Sequence, residues 1–138
     1  VDQSALKDLY SRASAVIVPS ICYETFGIII IEAFSRRTPV IVNDLGALPE
    51  VVEDSGGGYI FRNEAELEEA VDKLAADDVL RRELGENGYR AYRKFWDTDA
   101  HLERYLGLIE EVAEERFGKA TPISVRVSRT TKRARQAL

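Results

Sequence analysis

Three short runs rich in β-branched residues punctuate the first half of this chain, at residues 15–18, 40–42 and 59–61. Each run is apolar throughout, which is typical of strands buried on both faces of a parallel sheet. Helical patterns separate the runs, at residues 3–13, 27–37 and 47–53. The alternation of strand and helix predicts parallel βαβ units, and therefore an α/β fold with a short parallel sheet.

The run Ile28–Ile31 is ambiguous when it is taken alone, because four consecutive isoleucines favour a strand. Its position favours a helix. A parallel crossover between residues 18 and 40 needs about a dozen residues or more, usually as a helix. Residues 27–37 are the segment available for that crossover. We therefore predict a buried helix there.

The second half of the chain is predicted to be helical from residue 63 to residue 117. Asn63, followed by Glu66 three residues later, is typical of a helix N-cap with a capping-box partner. Asp78 is expected to cap the next helix, and Thr98 or Asp99 the last one. The final helix is expected within residues 95–117, followed by a tail at residues 118–138.

The charge of the chain is unevenly spread. Residues 118–138 carry six basic side chains and no acid, so a whole-chain net charge of −5 leaves −11 on residues 1–117. An acidic body argues against nucleic acid as a partner. The tail is expected to be a disordered, solvated terminus. The alternative is contact with RNA or, peripherally, with anionic lipid at the inner face of a membrane.

Length and composition favour a single domain without a membrane-spanning run or an internal disulfide. A chain of 138 residues suits one domain, and no run approaches the ~18–20 apolar residues that span a bilayer. The single cysteine, Cys22, excludes an internal disulfide and suits a reducing compartment, so we expect a cytoplasmic protein. Because the chain starts at Val1 directly in a helical pattern, we expect it to be a piece of a longer protein.

Residues 19–32 are the most informative stretch for function. They place two carboxylates, Glu24 and Glu32, around a turn that contains Gly27 and opens the predicted helix. Backbone N–H groups at such a helix start favour an anion, while carboxylates accept hydrogen bonds from hydroxyl groups. A nucleotide-sugar carries both kinds of group.

The same stretch resembles a known family. Glu24 and Glu32, separated by seven residues and preceded by Pro19-Ser20, resemble the Glu-x7-Glu motif of retaining glycosyltransferases with the GT-B fold, the large family 4 type. Further blocks follow that family's order, at residues 33–34, 38–42, 46–52 and 57–61. One position departs from it, since Arg37 stands where glycine usually precedes the small residue and proline.

The resemblance implies a partial Rossmann-like domain. Residues 1–94 would be the C-terminal part of the nucleotide-sugar-binding domain, and residues 95–117 the crossover helix. The N-terminal acceptor domain, and a basic pair that meets the diphosphate charge, would lie upstream of this chain. The implied reaction transfers a hexosyl group from a nucleotide diphosphate sugar to a hydroxyl of an acceptor glycan, lipid or small molecule, with retention. No cofactor or metal is implied, and this fragment alone is expected to be inactive.

The resemblance also assigns roles to individual residues. Glu24, as the catalytic residue, would contact the hydroxyls of the donor sugar, and Glu32 the ribose hydroxyls. The backbone at Phe26, Gly27, Ile28 and Ile29 would hold the diphosphate or the sugar.

Ser20 either contacts phosphate or simply ends its strand. Cys22 and Tyr23 are expected to be structural, and the single histidine, His101, to be a surface residue, so no metal site is expected.

Two alternatives remain open from the sequence. The chain could be a non-enzymatic α/β binding module that keeps the fold and uses its acidic face for partners. It could also belong to a nucleotide-sugar epimerase, a class that shares the two-domain architecture.

Overall fold

The computed structural model describes residues 2–118. The chain divides into two compact units, Val1–Trp96 and Asp97–Leu138, and each is described by itself. Of the basic tail, residues 119–138 lie outside the described part, and so do the expectations made for them.

The first unit is built around a three-stranded parallel sheet with the strand order β1-β2-β3. The strands are β1 (Val16–Val18), β2 (Val40–Asn43) and β3 (Gly58–Phe61). In register, Val16 lies opposite Val40, and Val40 opposite Gly58. The central strand is inaccessible to solvent at Val40, Ile41 and Val42, as its unbroken apolar sequence predicts. The predicted α/β fold with a short parallel sheet is confirmed.

Helices cover both faces of this sheet. They are α1 (Gln3–Arg12), α2 (Ile28–Phe34), α3 (Leu48–Ser55), α4 (Glu64–Ala76) and α5 (Asp78–Ala91), and a π-helical segment, Tyr92–Trp96, continues α5. Val40 and Val42 pack with α1, α2 and α3 on one face, whereas Ile41 packs with Ala70 and Leu74 of α4 on the other. Successive residues of β2 thus point into different cores, which is the arrangement of a doubly wound sheet.

The isoleucine run forms a helix, as the crossover argument predicts, but α2 is shorter than the expected 27–37. It begins after Gly27 and ends at Phe34. The chain then turns through Arg37, a non-glycine residue with a φ of 58°. The left-handed backbone geometry therefore persists here without its usual glycine, at a cost of roughly 1–2 kcal/mol for an L-residue.

Two of the three predicted helix caps are corrected by one residue or two. Asn63 caps α4, and its side chain accepts from the N–H of Glu66 at 3.0 Å. Asp77, rather than Asp78, caps α5, because it is the residue with extended backbone whose carboxylate faces the free N–H groups. The next helix, α6 (Thr98–Phe117), is likewise capped by Asp97 rather than by Thr98 or Asp99.

The second unit contributes α6, a helix of 20 residues. None of the helices formed by residues 2–118 is both long enough and apolar enough to cross a bilayer.

Candidate functional site

The loop that joins β1 to α2 lies at the carboxyl edge of the sheet, and the end of the neighbouring strand holds it in place. The side-chain amide of Asn43, the last residue of β2, donates to the Ser20 carbonyl at 2.9 Å. The Ser20 hydroxyl in turn donates to Oε1 of Glu24. Two hydrogen bonds, one to the backbone of Ser20 and one from its side chain, therefore connect the end of β2 to the carboxylate of Glu24.

A second loop supports the backbone of Glu24. The Ala47 N–H donates to the Glu24 carbonyl at 3.4 Å. Gly46, at a φ of 64°, passes so close that a Cβ there would lie 3.1 Å from that carbonyl oxygen. The backbone of Glu24 is thus packed against the turn that leads into α3.

Gly27 marks the start of α2 and has a structural reason to be glycine. Its φ of 73° lies in the left-handed region, and a Cβ would lie 2.6 Å from Cδ2 of Leu48. Leu48 is fully buried, so its side chain has little room to move aside. The absence of a Cβ at Gly27 thus allows Leu48 of α3 to pack directly against the start of α2.

Glu32 lies in the second half of α2 and is held by α1. The Tyr10 hydroxyl donates to Oε2 of Glu32 at 3.1 Å. Burial, and then the hydrogen bond to Glu32 and the charge of Glu32, raise the pKa of Tyr10, so the phenol stays a donor further into the alkaline range. Tyr10 is itself fixed, because the Thr38 hydroxyl donates to its backbone carbonyl at 2.7 Å and its ring packs in the core.

Glu24 and Glu32 both line one open cleft of about 570 Å³. The lining residues are Tyr23, Glu24, Thr25, Phe26, Gly27, Ile28, Ile29 and Glu32. The structure therefore brings together six of the seven residues singled out from the sequence. Ser20, the seventh, is not among the lining residues, but its hydroxyl donates to Glu24, which is.

Several residues have roles that the sequence did not indicate. Tyr23, which was expected to be structural, is 82% exposed and lines the cleft with Thr25. The ring of Phe26 packs edge-on against Trp96, with 6.4 Å between the ring centroids. This contact holds the side chain of Phe26, which lines the cleft. Asn43 carried a usable signal, as a polar residue at a strand's carboxyl end, whereas nothing local points to Tyr10.

The charged side chains of the cleft wall can accept hydrogen bonds from hydroxyl groups. Both are carboxylates. Within residues 2–118, no group of three or more His, Cys, Asp or Glu side chains is placed to hold a metal ion. His101 lies on α6 with its ring stacked on Tyr105, and Cys22 is exposed with a free thiol.

Comparison with known proteins identifies relatives of this chain. The sequence pattern of the family described as "Glycosyl transferases group 1" matches residues 1–91. An uncharacterised glycosyltransferase of Methanocaldococcus jannaschii is 34% identical over 104 residues, which are 72% of this chain and 26% of that protein. A D-inositol 3-phosphate glycosyltransferase of Streptomyces bingchenggensis is 37% identical over 101 residues, 71% of this chain and 22% of that protein.

A solved structure is similar as well. A sucrose-phosphate synthase from Thermosynechococcus elongatus superimposes with a TM-score of 0.72 at 30% identity, over 81% of this chain and 28% of that chain. The present chain thus spans between 22% and 28% of the length of these three relatives.

Proposed function

Because the chain belongs to the glycosyl transferases group 1 family, we propose that it is the donor-binding part of a retaining hexosyltransferase. The donor is a nucleotide diphosphate sugar, and the acceptor is a hydroxyl group of a glycan, a lipid or a small molecule. Transfer requires an acceptor-binding N-terminal domain besides the residues described, and the fragment alone is inactive. The protein acts in the cytoplasm.

One observation carries this proposal: Glu24, in the loop before α2, and Glu32, in the second half of α2, line the same cleft. Glu32 lies four residues beyond Ile28, the first residue of the helix. At a rise of about 1.5 Å per residue, Glu32 is roughly 6 Å further along the helix axis. The cleft therefore offers two separated sets of hydroxyl acceptors, which suits a ligand with a hydroxylated sugar at one end and a ribose at the other.

In this proposal Glu24 receives the hydroxyls of the transferred sugar and is the catalytic residue. Its carboxylate is oriented by Ser20 and its backbone by Ala47. A carboxylate held in this way can position the sugar for transfer, and fixing the reacting groups in a productive geometry lowers the barrier. Glu32 receives the ribose hydroxyls, which do not react.

The diphosphate lies between the two carboxylates, along the backbone of residues 26–29. The apolar side chains of Ile28 and Ile29, which are 68% and 44% exposed, flank it. The lining residues supply no basic side chain, so the cations that balance the diphosphate come from elsewhere in the protein. No cofactor and no metal enters the proposal.

The test is calorimetric titration of the full-length protein with a panel of UDP-, GDP- and ADP-sugars. At least one donor should bind, and Glu32→Gln should weaken it by roughly 10- to 100-fold, because hydrogen bonds to a charged group are lost. Glu68→Gln is the matched control, since Glu68 is exposed on α4 across the sheet. An NMR assignment of the anomeric configuration of the product tests retention.

Two results would overturn the proposal. One is a full-length protein that binds none of the donors, and the other is donor affinity that Glu32→Gln leaves unchanged.

A further inference from the structure

Glu32 lies on a short helix, and its carboxylate has a protein donor of its own. Tyr10 and Glu32 are 22 positions apart in the chain, yet the phenol hydroxyl lies 3.1 Å from Oε2. The side chain of a glutamate has several rotatable bonds, and ordering it costs side-chain conformational entropy. A donor that holds the carboxylate before the ligand arrives removes part of that cost from binding.

Tyr10 is suited to this role because it is rigid. It is 8% exposed and belongs to the core cluster with Val18, Phe34 and Val40. Its backbone carbonyl accepts from Thr38 Oγ1, and Thr38 is 2% exposed. A side chain held at its ring and at its backbone presents the hydroxyl group at a fixed point.

The bond still leaves the carboxylate able to bind a ligand. A carboxylate has about four lone-pair sites, and Tyr10 occupies one of them. Glu32 lines both the large cleft and a smaller recess, and it shares the recess with Leu6, Lys7, Tyr10, Ser35 and Arg36. Tyr10 lines the recess and is not among the residues that line the cleft, so it leaves the cleft open to the proposed ligand.

We propose that Tyr10 is a positioning residue for donor binding, which acts through Glu32 and prepares its carboxylate to receive a ribose diol. This inference rests on the proposed function, in which Glu32 binds ribose. Tyr10 itself touches neither the sugar nor the diphosphate.

The experiment uses the full-length protein and Tyr10→Phe, which removes the hydroxyl and keeps the ring. The probes are UDP, GDP and ADP, and the best binder is then compared with its 2′-deoxy and 3′-deoxy forms. For the natural nucleotide, Tyr10→Phe should weaken binding by about three- to tenfold, as expected for one hydrogen bond. For the form that lacks the hydroxyl bound by Glu32, the loss should shrink to less than about twofold.

Kinetics separate positioning from a general loss of structure. Since the ribose contact is the same in the ground state and the transition state, Tyr10→Phe should raise KM for the donor by the same factor and leave kcat nearly unchanged. In a Glu32→Gln background, Tyr10→Phe should have no further effect on donor affinity. Tyr59→Phe is the matched control, because Tyr59 packs in the core cluster across the sheet.

A second variant protects the test against a packing defect. Tyr10→Met fills the same space with an adaptable apolar side chain, and it should show the same loss that depends on the ribose hydroxyl. If wild type binds a nucleotide and both Tyr10 variants bind it equally well, the inference is wrong and the proposed function stands. Equal losses for ribose and deoxyribose forms would also overturn the inference. If wild type binds none of the nucleotides, the proposed function itself fails.

Discussion

The side-chain amide of Asn43 lies 2.9 Å from the backbone carbonyl of Ser20, so the end of β2 ties down the loop that carries Glu24. This bond joins residues 23 positions apart in the chain. Because Ser20 also donates to Glu24, a substitution at Asn43 should alter the order of the cleft loop and lower the stability of the unit.

Asn43→Ala should therefore loosen the loop. We expect a loss of roughly 1 kcal/mol in the free energy of unfolding, as for one partly buried hydrogen bond. We also expect faster chymotrypsin cleavage after Tyr23, which is 82% exposed in that loop. Urea titration and limited proteolysis followed by mass spectrometry measure the two effects.

Asn87→Ala provides the control for this experiment. Asn87 also donates its side-chain amide to a backbone carbonyl, that of Gly56 at 3.2 Å, but does so outside the cleft. It should leave cleavage after Tyr23 unchanged. Equal cleavage rates in Asn43→Ala and wild type would contradict the proposed restraint.

The Tyr10 phenol should make stability depend on pH in the alkaline range. Its pKa is raised above the ordinary value of 10.0 by burial and by the bond to and charge of Glu32, so the unfolded chain ionises first as the pH rises. The contribution of Tyr10 is thus complete below about pH 10 and is lost as the pH rises through the folded-state pKa. The difference in unfolding free energy between wild type and Tyr10→Phe should be constant to about pH 9 and decline above about pH 10.

Urea titrations at several pH values measure this difference. Subtracting the Tyr10→Phe values removes the titration of the other groups, such as Lys73, whose pKa is raised by its bond to Glu69. A difference that stays constant through the alkaline range would show that Glu32 and burial do not hold the phenol protonated.

Gly27→Ala should destabilise the first unit. The left-handed φ of 73° costs an L-residue about 1–2 kcal/mol, and the new Cβ would also meet the side chain of Leu48. We expect a total loss of about 2–4 kcal/mol, measured by thermal and urea unfolding. Gly107→Ala on α6 is the control, because a Cβ there meets nothing within 4 Å. It should stabilise its helix by up to about 1 kcal/mol.

The turn at Arg37 allows backbone strain to be separated from side-chain contacts. Both Arg37→Gly and Arg37→Ala remove the ion pair with Glu86, at 2.9 Å, and the stacking of the guanidinium over Tyr89. Only Gly adopts a φ of 58° without cost, so the Gly variant should be the more stable of the two by about 1 kcal/mol. At Arg36, whose φ is negative, the same pair of substitutions should favour Ala or show no difference.

The sequence by itself determined the order of the elements and the location of the motif. Period and position alone placed the three strands, and the crossover rule made the isoleucine run a helix despite its strand propensity. Glu24 and Glu32, eight positions apart in the sequence, line the same cleft because both lie within one loop-and-helix segment. Local geometry, which depends on residues close in the chain, decides such features.

Tertiary structure decided what supports the two carboxylates. Tyr10 meets Glu32, and Asn43 meets Ser20, only because helix packing and parallel strand pairing bring distant segments together. Asp77 and Asp97 are the caps because their backbone angles are extended. The sequence alone does not show which of several neighbouring polar or acidic residues adopts those angles. Contacts between residues 22 or 23 positions apart have no periodic signature in the sequence, because they depend on how the folded elements approach one another.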